Sequence, residues 1–146
     1  MKIKIVNGFD GLKKRLVSID KINKNEVILK LNGKILDHPT SRTIQVGRKE
    51  HLRNSFIDYL NHSCNSNSHI DTEKLAILAD RVIKQFDDIT VNYLSTEYQM
   101  VNPFKCNCRS KNCFKEIKGY KFLDKGIKVK NLAGHLLKPE NKLNVD

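Results

Sequence analysis

No apolar run in this chain approaches the roughly 20 residues needed to cross a bilayer, and the opening Met-Lys-Ile-Lys-Ile-Val-Asn-Gly is too poor in apolar residues for a secretory signal. A membrane partner is therefore not expected. The setting expected is intracellular and cytoplasmic, with nuclear or host-chromatin targeting left open. Internal repeats and low-complexity tracts are also absent, and 146 residues suit a single domain. Acidic residues are the scarcer charge: Asp+Glu 16 against Lys+Arg 27, a formal net charge of +11. That excess favours acidic partners. Yet the lysines are spread along the whole length, with only Lys13-Lys14-Arg15 as a tight cluster, and no stretch interleaves a basic stripe with aromatics. Nucleic acid is thus permitted as a partner but not required, and the plain alternative is a solvated basic surface.

Cysteine is sparse too, and its placement is informative. Cys106, Cys108 and Cys113 form C-x-C-x4-C, while Cys64 stands alone upstream in Asn61-His62-Ser63-Cys64. A tetrahedral zinc takes four ligands; the cluster supplies three with nothing nearby to complete the shell, which makes Cys64 the candidate fourth. One zinc ion held by Cys64, Cys106, Cys108 and Cys113 is the expectation. Two disulfides are the alternative, disfavoured because Cys106 and Cys108 are too close to pair easily and no export signal points to an oxidising compartment. Asn61-His62-Ser63 also fits a glycosylation acceptor, a match read as chance without a secretion signal.

The first half reads as short strands between turns. Lys2 to Val6 alternates, Asn7-Gly8 and Asp10-Gly11 mark turns, and Glu26 to Leu31 alternates again before Asn32-Gly33, which suits a tight hairpin into Lys34-Ile35-Leu36. Arg42 to Val46 is rich in β-formers, Leu52 to Leu60 suits a short helix or turn, and Asn61 to Ser68 reads as irregular. Lys74 to Ile83 fits either a helix, with Leu75, Leu78, Ala79 and Val82 on one face, or two strands about a turn. Ile89 to Leu94 reads as a strand, and the tail from Asp124, with few strong apolar anchors, reads either as partly mobile or as a terminal helix around Leu132 to Leu137.

Singly these motifs are weak; their order is less common. Asn61-His62-Ser63-Cys64 with Asn67, then Ile89-Thr90-Val91-Asn92-Tyr93, then the three-cysteine cluster, resembles the SET-domain protein-lysine N-methyltransferases, in particular compact stand-alone members with a post-SET zinc motif. Ile22 to Ile28 looks like an early family segment, although Asn25 stands where the family usually has Gly. Arg42 to Gly47, Ser95-Thr96-Glu97-Tyr98 through Pro103-Phe104, and Ile117 to Leu123 extend the likeness over most of the chain. The resemblance implies a mainly β fold, the SET (β-clip) arrangement of several small sheets with short helices and a pseudoknot. It also implies boundaries: a SET domain over 1–98, a post-SET zinc segment over 99–123, and a C-terminal tail over 124–146 that packs on the SET domain or extends from it.

By the same resemblance the activity is transfer of a methyl group from S-adenosylmethionine to a lysine ε-amine of a protein, a histone-like tail being one such substrate. Tyr93 matches the active-site tyrosine, against the plainer role of a buried strand tyrosine. Asn61 and His62 match the pair that holds the cofactor, largely through backbone groups, and Phe104 takes a position near the adenine unless it is only a core aromatic. Alignment through Ile22 places Lys14, Arg15 and Leu16 in the N-terminal cofactor loop, with no glycine there. Phe86-Asp87-Asp88 stands where the family has Gly-Glu-Glu. Tyr120 is a candidate wall of the lysine channel, and Asp71, Glu73, Asp87 and Asp88 are candidates for an acidic groove. Two other functions stay open: a basic zinc module that binds nucleic acid or an acidic protein, and a SET-like binder without catalysis.

Overall fold

The computed structural model describes residues 1–11 and 13–137. β1 (Ile3–Asn7) and β2 (Lys14–Ser18) pair antiparallel, with Ile5 opposite Leu16. β3 (Val27–Lys30) waits for a later partner, while β4 (Lys34–Leu36), β5 (Thr43–Gly47) and β6 (Glu50–Arg53) form an antiparallel sheet in the order β4-β6-β5. A 3₁₀ turn over Ser55–Tyr59 follows, opened by Asn54, whose side chain accepts from Phe56 N. Then come β7 (Asn61–His62), β8 (Ser68–Asp71), β9 (Ala76–Ala79) and β10 (Thr90–Val91). β8 and β9 make a hairpin whose other edge is β3. β7 and β10 run parallel, joining segments far apart in the chain. β11 (Phe104–Lys105), β12 (Glu116–Ile117) and a single helical turn, α1 (Gly134–Leu137), complete the described fold. The fold is mainly β, in small sheets, as expected. The end of the expected tail, residues 138–146, lies outside the described residues.

Several local expectations give way: the stretch from Asn61 to Ser68, expected to be irregular, supplies β7 and the first residue of β8 because each finds a strand partner. Asn32-Gly33 is not a hairpin: β3 pairs with β9 and β4 with β6, so the dipeptide carries the chain from one sheet to another. A Cβ on Gly33 would lie 2.0 Å from the Arg53 carbonyl oxygen, and Asn54 donates to the Asn32 carbonyl; the glycine serves a close backbone approach rather than a two-residue turn. Lys74 to Ile83 is neither a helix nor two strands but one strand, β9, entered through Leu75 at a φ of 50°. Finally, the strand beginning at Ile89 stops at Val91, because the Asn92 side chain accepts from Leu94 N at 3.0 Å and turns the chain into a 3₁₀ turn over Tyr93–Ser95.

Among the described residues, two apolar clusters divide the interior. The larger gathers Leu16, Ile22, Leu52, Leu60, Ile77 and Ile89 among others; the smaller, built on Leu94, Ile117 and Val129, lies against Phe104, Cys64 and Cys106. Tyr93 packs against both. No helix among the described residues is long and apolar enough to cross a membrane.

Candidate active site and metal centre

Side chains stitch β10 into place beside β7. The Asn67 amide accepts from Thr90 N at 3.0 Å and donates to the Asp88 carbonyl at 2.6 Å, the Ser68 hydroxyl donates to the Thr90 carbonyl, and Ser63 N bonds the Val91 carbonyl. Each bond satisfies a buried backbone group that a two-residue strand pairing leaves open. The result holds the turn after β10 against β7, and with it Tyr93 against His62.

The ring centroids of His62 and Tyr93 lie 5.1 Å apart, those of His62 and Phe104 5.7 Å, and those of Tyr93 and Phe104 5.9 Å. These tilted and edge-on contacts form a closed triangle of the kind favoured by aromatic quadrupoles. The Tyr93 hydroxyl donates to the Leu60 carbonyl at 2.6 Å, which fixes the direction of its lone pairs. Burial, with the Glu97 charge added, pushes that hydroxyl up to about 12, so it stays protonated near neutrality. His62 Nδ1 accepts from Tyr93 N at 3.0 Å, which assigns the ring proton to Nε2, and Nε2 sits 3.3 Å from Cys64 Sγ. Burial lowers His62 to about 4, so this imidazole is neutral.

Cys64 also belongs to a second group. Its sulfur and those of Cys106, Cys108 and Cys113 all lie within 4.8 Å of one another, and Cys64 and Cys106 are 3.8 Å apart with no disulfide among the four. A tetrahedron with Zn–S bonds of about 2.3 Å has edges of about 3.8 Å, so the spacing fits a metal ion. Burial pushes the Cys64 thiol up, and four sulfurs this close resist joint ionisation unless a cation joins them. Phe114 N points at Cys64 Sγ from 3.4 Å, the kind of N–H···S contact that supports a metal-bound thiolate.

Beside the aromatic triangle lies a cavity of about 180 Å³, lined by Ile44, Ile57, Leu60, Tyr93, Glu97 and Phe104, with Ile70, Met100 and small polar side chains such as Thr40, Ser41 and Thr43 completing the wall. The structure thus brings together Tyr93, His62, Phe104 and the four cysteines. Asn61 stands in β7 opposite Thr90. Lys14, Arg15 and Leu16 lie in β2: Lys14 is exposed, Leu16 is in the core with its carbonyl bonded to Ile89 N, and Arg15 ion-pairs with Asp88 and stacks over Phe9. Arg15 Nε is buried without a hydrogen-bond partner among the described residues. Tyr120 does not line the cavity; its backbone N–H bonds the Glu97 carbonyl. Nor do Asp71, Glu73, Asp87 and Asp88 line it: Asp71 accepts from Glu73 N and Lys74 N, Asp87 from Lys84 N, and Asp88 serves Arg15. Among the described residues, the carboxyl that does line it is Glu97, which the sequence motifs do not single out as a site residue. Its signal was the spacing from Tyr93, four residues on, which a turn places on the same side.

Small sheets locked by a parallel β7–β10 crossover, with a tyrosine just beyond it, define a class, and the SET-domain family model matches residues 13–94, more than half of the chain. The chain belongs to the SET-domain family. One relative is the Aspergillus flavus protein named methyltransferase flvH, 35% identical over 86 residues that make up 58% of this chain and 46% of that one. The chain therefore spans about half the length of the curated relative it matches. Among solved structures, a Plasmodium falciparum protein described as a candidate histone methyltransferase is alike in fold, with a TM-score of 0.51 at 19% identity over 63% of this chain and 96% of that one.

Proposed function

We propose that the protein is an S-adenosylmethionine-dependent protein-lysine N-methyltransferase with one structural zinc ion. The observation that carries this is Tyr93: in a SET-family chain, its hydroxyl is tied to the Leu60 carbonyl at the wall of a cavity that Phe104 of the cysteine-rich segment, packed edge-on against the Tyr93 ring, also lines. A largely apolar cavity with a few polar groups suits an unbranched alkyl chain ending in an amine.

Residues on hand fit the cofactor as well. The buried, unpartnered Arg15 Nε offers a donor to a carboxylate or hydroxyl, the β7 backbone at Asn61 and His62 borders the triangle, and Phe104 offers a ring face. Lys14 and Leu16 would contribute backbone only, since one side chain is solvated and the other is core. Bound there, S-adenosylmethionine supplies an electron-poor methyl group on a sulfonium. The chain's part is alignment and exclusion of water, the effects that supply much of the rate in a displacement of this kind. The Leu60 carbonyl and the Tyr93 hydroxyl would turn oxygen dipoles toward a bound methyl donor and amine, and the aromatic triangle would limit the entry of solvent.

Incubating the zinc-loaded protein with methyl-labelled S-adenosylmethionine and a mixture of lysine-rich proteins tests this. Label is expected on lysine Nζ, and Tyr93→Phe should cut the rate at least tenfold with an unchanged melting temperature. Wild-type turnover in that variant would remove Tyr93 from the chemistry; no label on any lysine protein, with cofactor binding intact, would overturn the transferase assignment.

A further inference from the structure

One ionisable group in the cavity has no part in the function so far. Glu97 lies beyond the segment matched by the family model, one turn after Tyr93, its N–H bonded to the Tyr93 carbonyl at 2.9 Å. Its side chain has an asymmetric environment. Oε2 accepts from Gln45 N at 2.9 Å and from the Thr96 hydroxyl at 2.7 Å, while Oε1 receives no hydrogen bond from any described residue. The residue keeps part of its surface open, and it lines the same cavity as Tyr93. Of the described side chains lining that cavity, only these two titrate. The nearest titratable group of α1, His135, bonds the Thr96 carbonyl rather than the Glu97 carboxyl, and Asp58 of the 3₁₀ turn beneath is engaged by Arg53. β5 presents Gln45 and no charge.

A carboxylate whose only role was to tie β5 to the turn would need one oxygen. The second oxygen faces the cavity and stays accessible there, and a cation is the partner a carboxylate binds most strongly. We propose that Glu97 receives the ε-ammonium of the substrate lysine in this cavity and accepts its proton before methyl transfer. This rests on the transferase function above and names the proton acceptor it lacks. The N–H bond of the ammonium breaks with its electron pair left on nitrogen, and the proton forms an O–H bond on Oε1. The freed lone pair forms the N–C bond as the C–S bond of the sulfonium breaks and its pair returns to sulfur, leaving a thioether and a methylammonium. The carboxyl then yields its proton to solvent. Burial, partly offset by the bonds from Gln45 and Thr96, holds the Glu97 carboxyl at about 7, where it can both take and release a proton near neutrality.

The test uses the zinc-loaded full chain and n-butylammonium as a stand-in for the lysine side chain, with n-butanol as its uncharged counterpart, followed by calorimetry. Wild type should bind n-butylammonium at least tenfold more tightly than n-butanol, and Glu97→Gln, which keeps an acceptor for Gln45 and Thr96, should erase that difference. In wild type the preference should also fade as pH drops below about 6, a readout that stands even if the variant folds poorly. With S-adenosylmethionine and a lysine protein, Glu97→Gln should lower kcat about a hundredfold, the range general acid–base groups contribute, at unchanged cofactor affinity. Its pH–rate profile should lose the inflection near 7 and climb toward lysine's own range near about 10.4. Equal n-butylammonium binding in both proteins, or a wild-type rate and profile in the variant, overturns the proposal. Glu97-dependent n-butylammonium binding without any methyl transfer in wild type would support the ammonium site and refute the transferase function instead.

Discussion

Glu97 has a second, thermodynamic signature at the scale of a single residue. Its folded pKa is raised from 4.5 to about 7, so the folded protein holds this proton more tightly than the unfolded chain does. The associated stability is fully present below about pH 4.5 and is lost as pH rises through about 7. Glu97→Gln, whose amide never ionises, should therefore be more stable than wild type at pH 8, by up to about 3 kcal/mol, and the gap should close at pH 4; urea unfolding at the two pH values measures it. Arg15 offers a companion test. Arg15→Lys keeps a positive charge for Asp88 but removes Nε, and should weaken S-adenosylmethionine binding about tenfold, the worth of one charge-assisted hydrogen bond. Unaltered affinity by calorimetry would take β2 out of the cofactor site.

At the scale of elements, several turns use side chains where glycine is easier. Asn25, standing at a usual family glycine, has a φ of 69°, and Asn is among the few residues that tolerate that region. Phe86, also at a family glycine, has a φ of 69° too, with a ring that is 62% exposed. A bulky side chain there costs roughly 1–2 kcal/mol. Phe86→Gly should accordingly be about 1 kcal/mol more stable than Phe86→Ala, a comparison in which the ring's contact with Lys4 is lost on both sides. Gly119 is the opposite case. Its φ is 126°, and a Cβ would meet the Tyr98 carbonyl oxygen at 2.5 Å and Gln99 Cα at 2.7 Å. Gly119→Ala should push the following turn off the Glu97 and Tyr98 carbonyls, costing about 2 kcal/mol and lowering turnover; thermal melts and rates read both effects.

At the scale of the whole molecule, the legible parts were those written locally. Asn61 to Cys64, Tyr93 and the three-cysteine cluster are short motifs whose residue types are tied to what they touch, and β-rich runs such as Thr43 to Val46 form strands wherever they pair. Partner choice is not local: nothing in Asn32-Gly33 shows that β3 will pair with β9, nor does Glu97 announce that Gln45, 52 residues earlier, will hold one of its oxygens. The same division sets a prediction for metal removal. The larger apolar cluster draws its buried residues from positions 3–91, whereas the smaller is built around the cysteine-bearing segment. Chelation or Cys64→Ser should therefore leave the β core folded by circular dichroism, expose the chain beyond about residue 100 to limited proteolysis, and depress methyl transfer.

The His62 ring ties these scales together, because its two nitrogens are spoken for from opposite sides, one by the backbone N–H of Tyr93 and the other by the sulfur of Cys64. An ion that draws electron density from that sulfur alters the ring's bond to it and, through the ring, the seat of the tyrosine. Linkage of this kind runs both ways. If the metal tightens the grip on the methyl donor by some factor, the donor must raise the affinity for the metal, measured at equilibrium against a competing chelator, by the same factor, so that a shortage of either ligand in the cell would lower the occupancy of both.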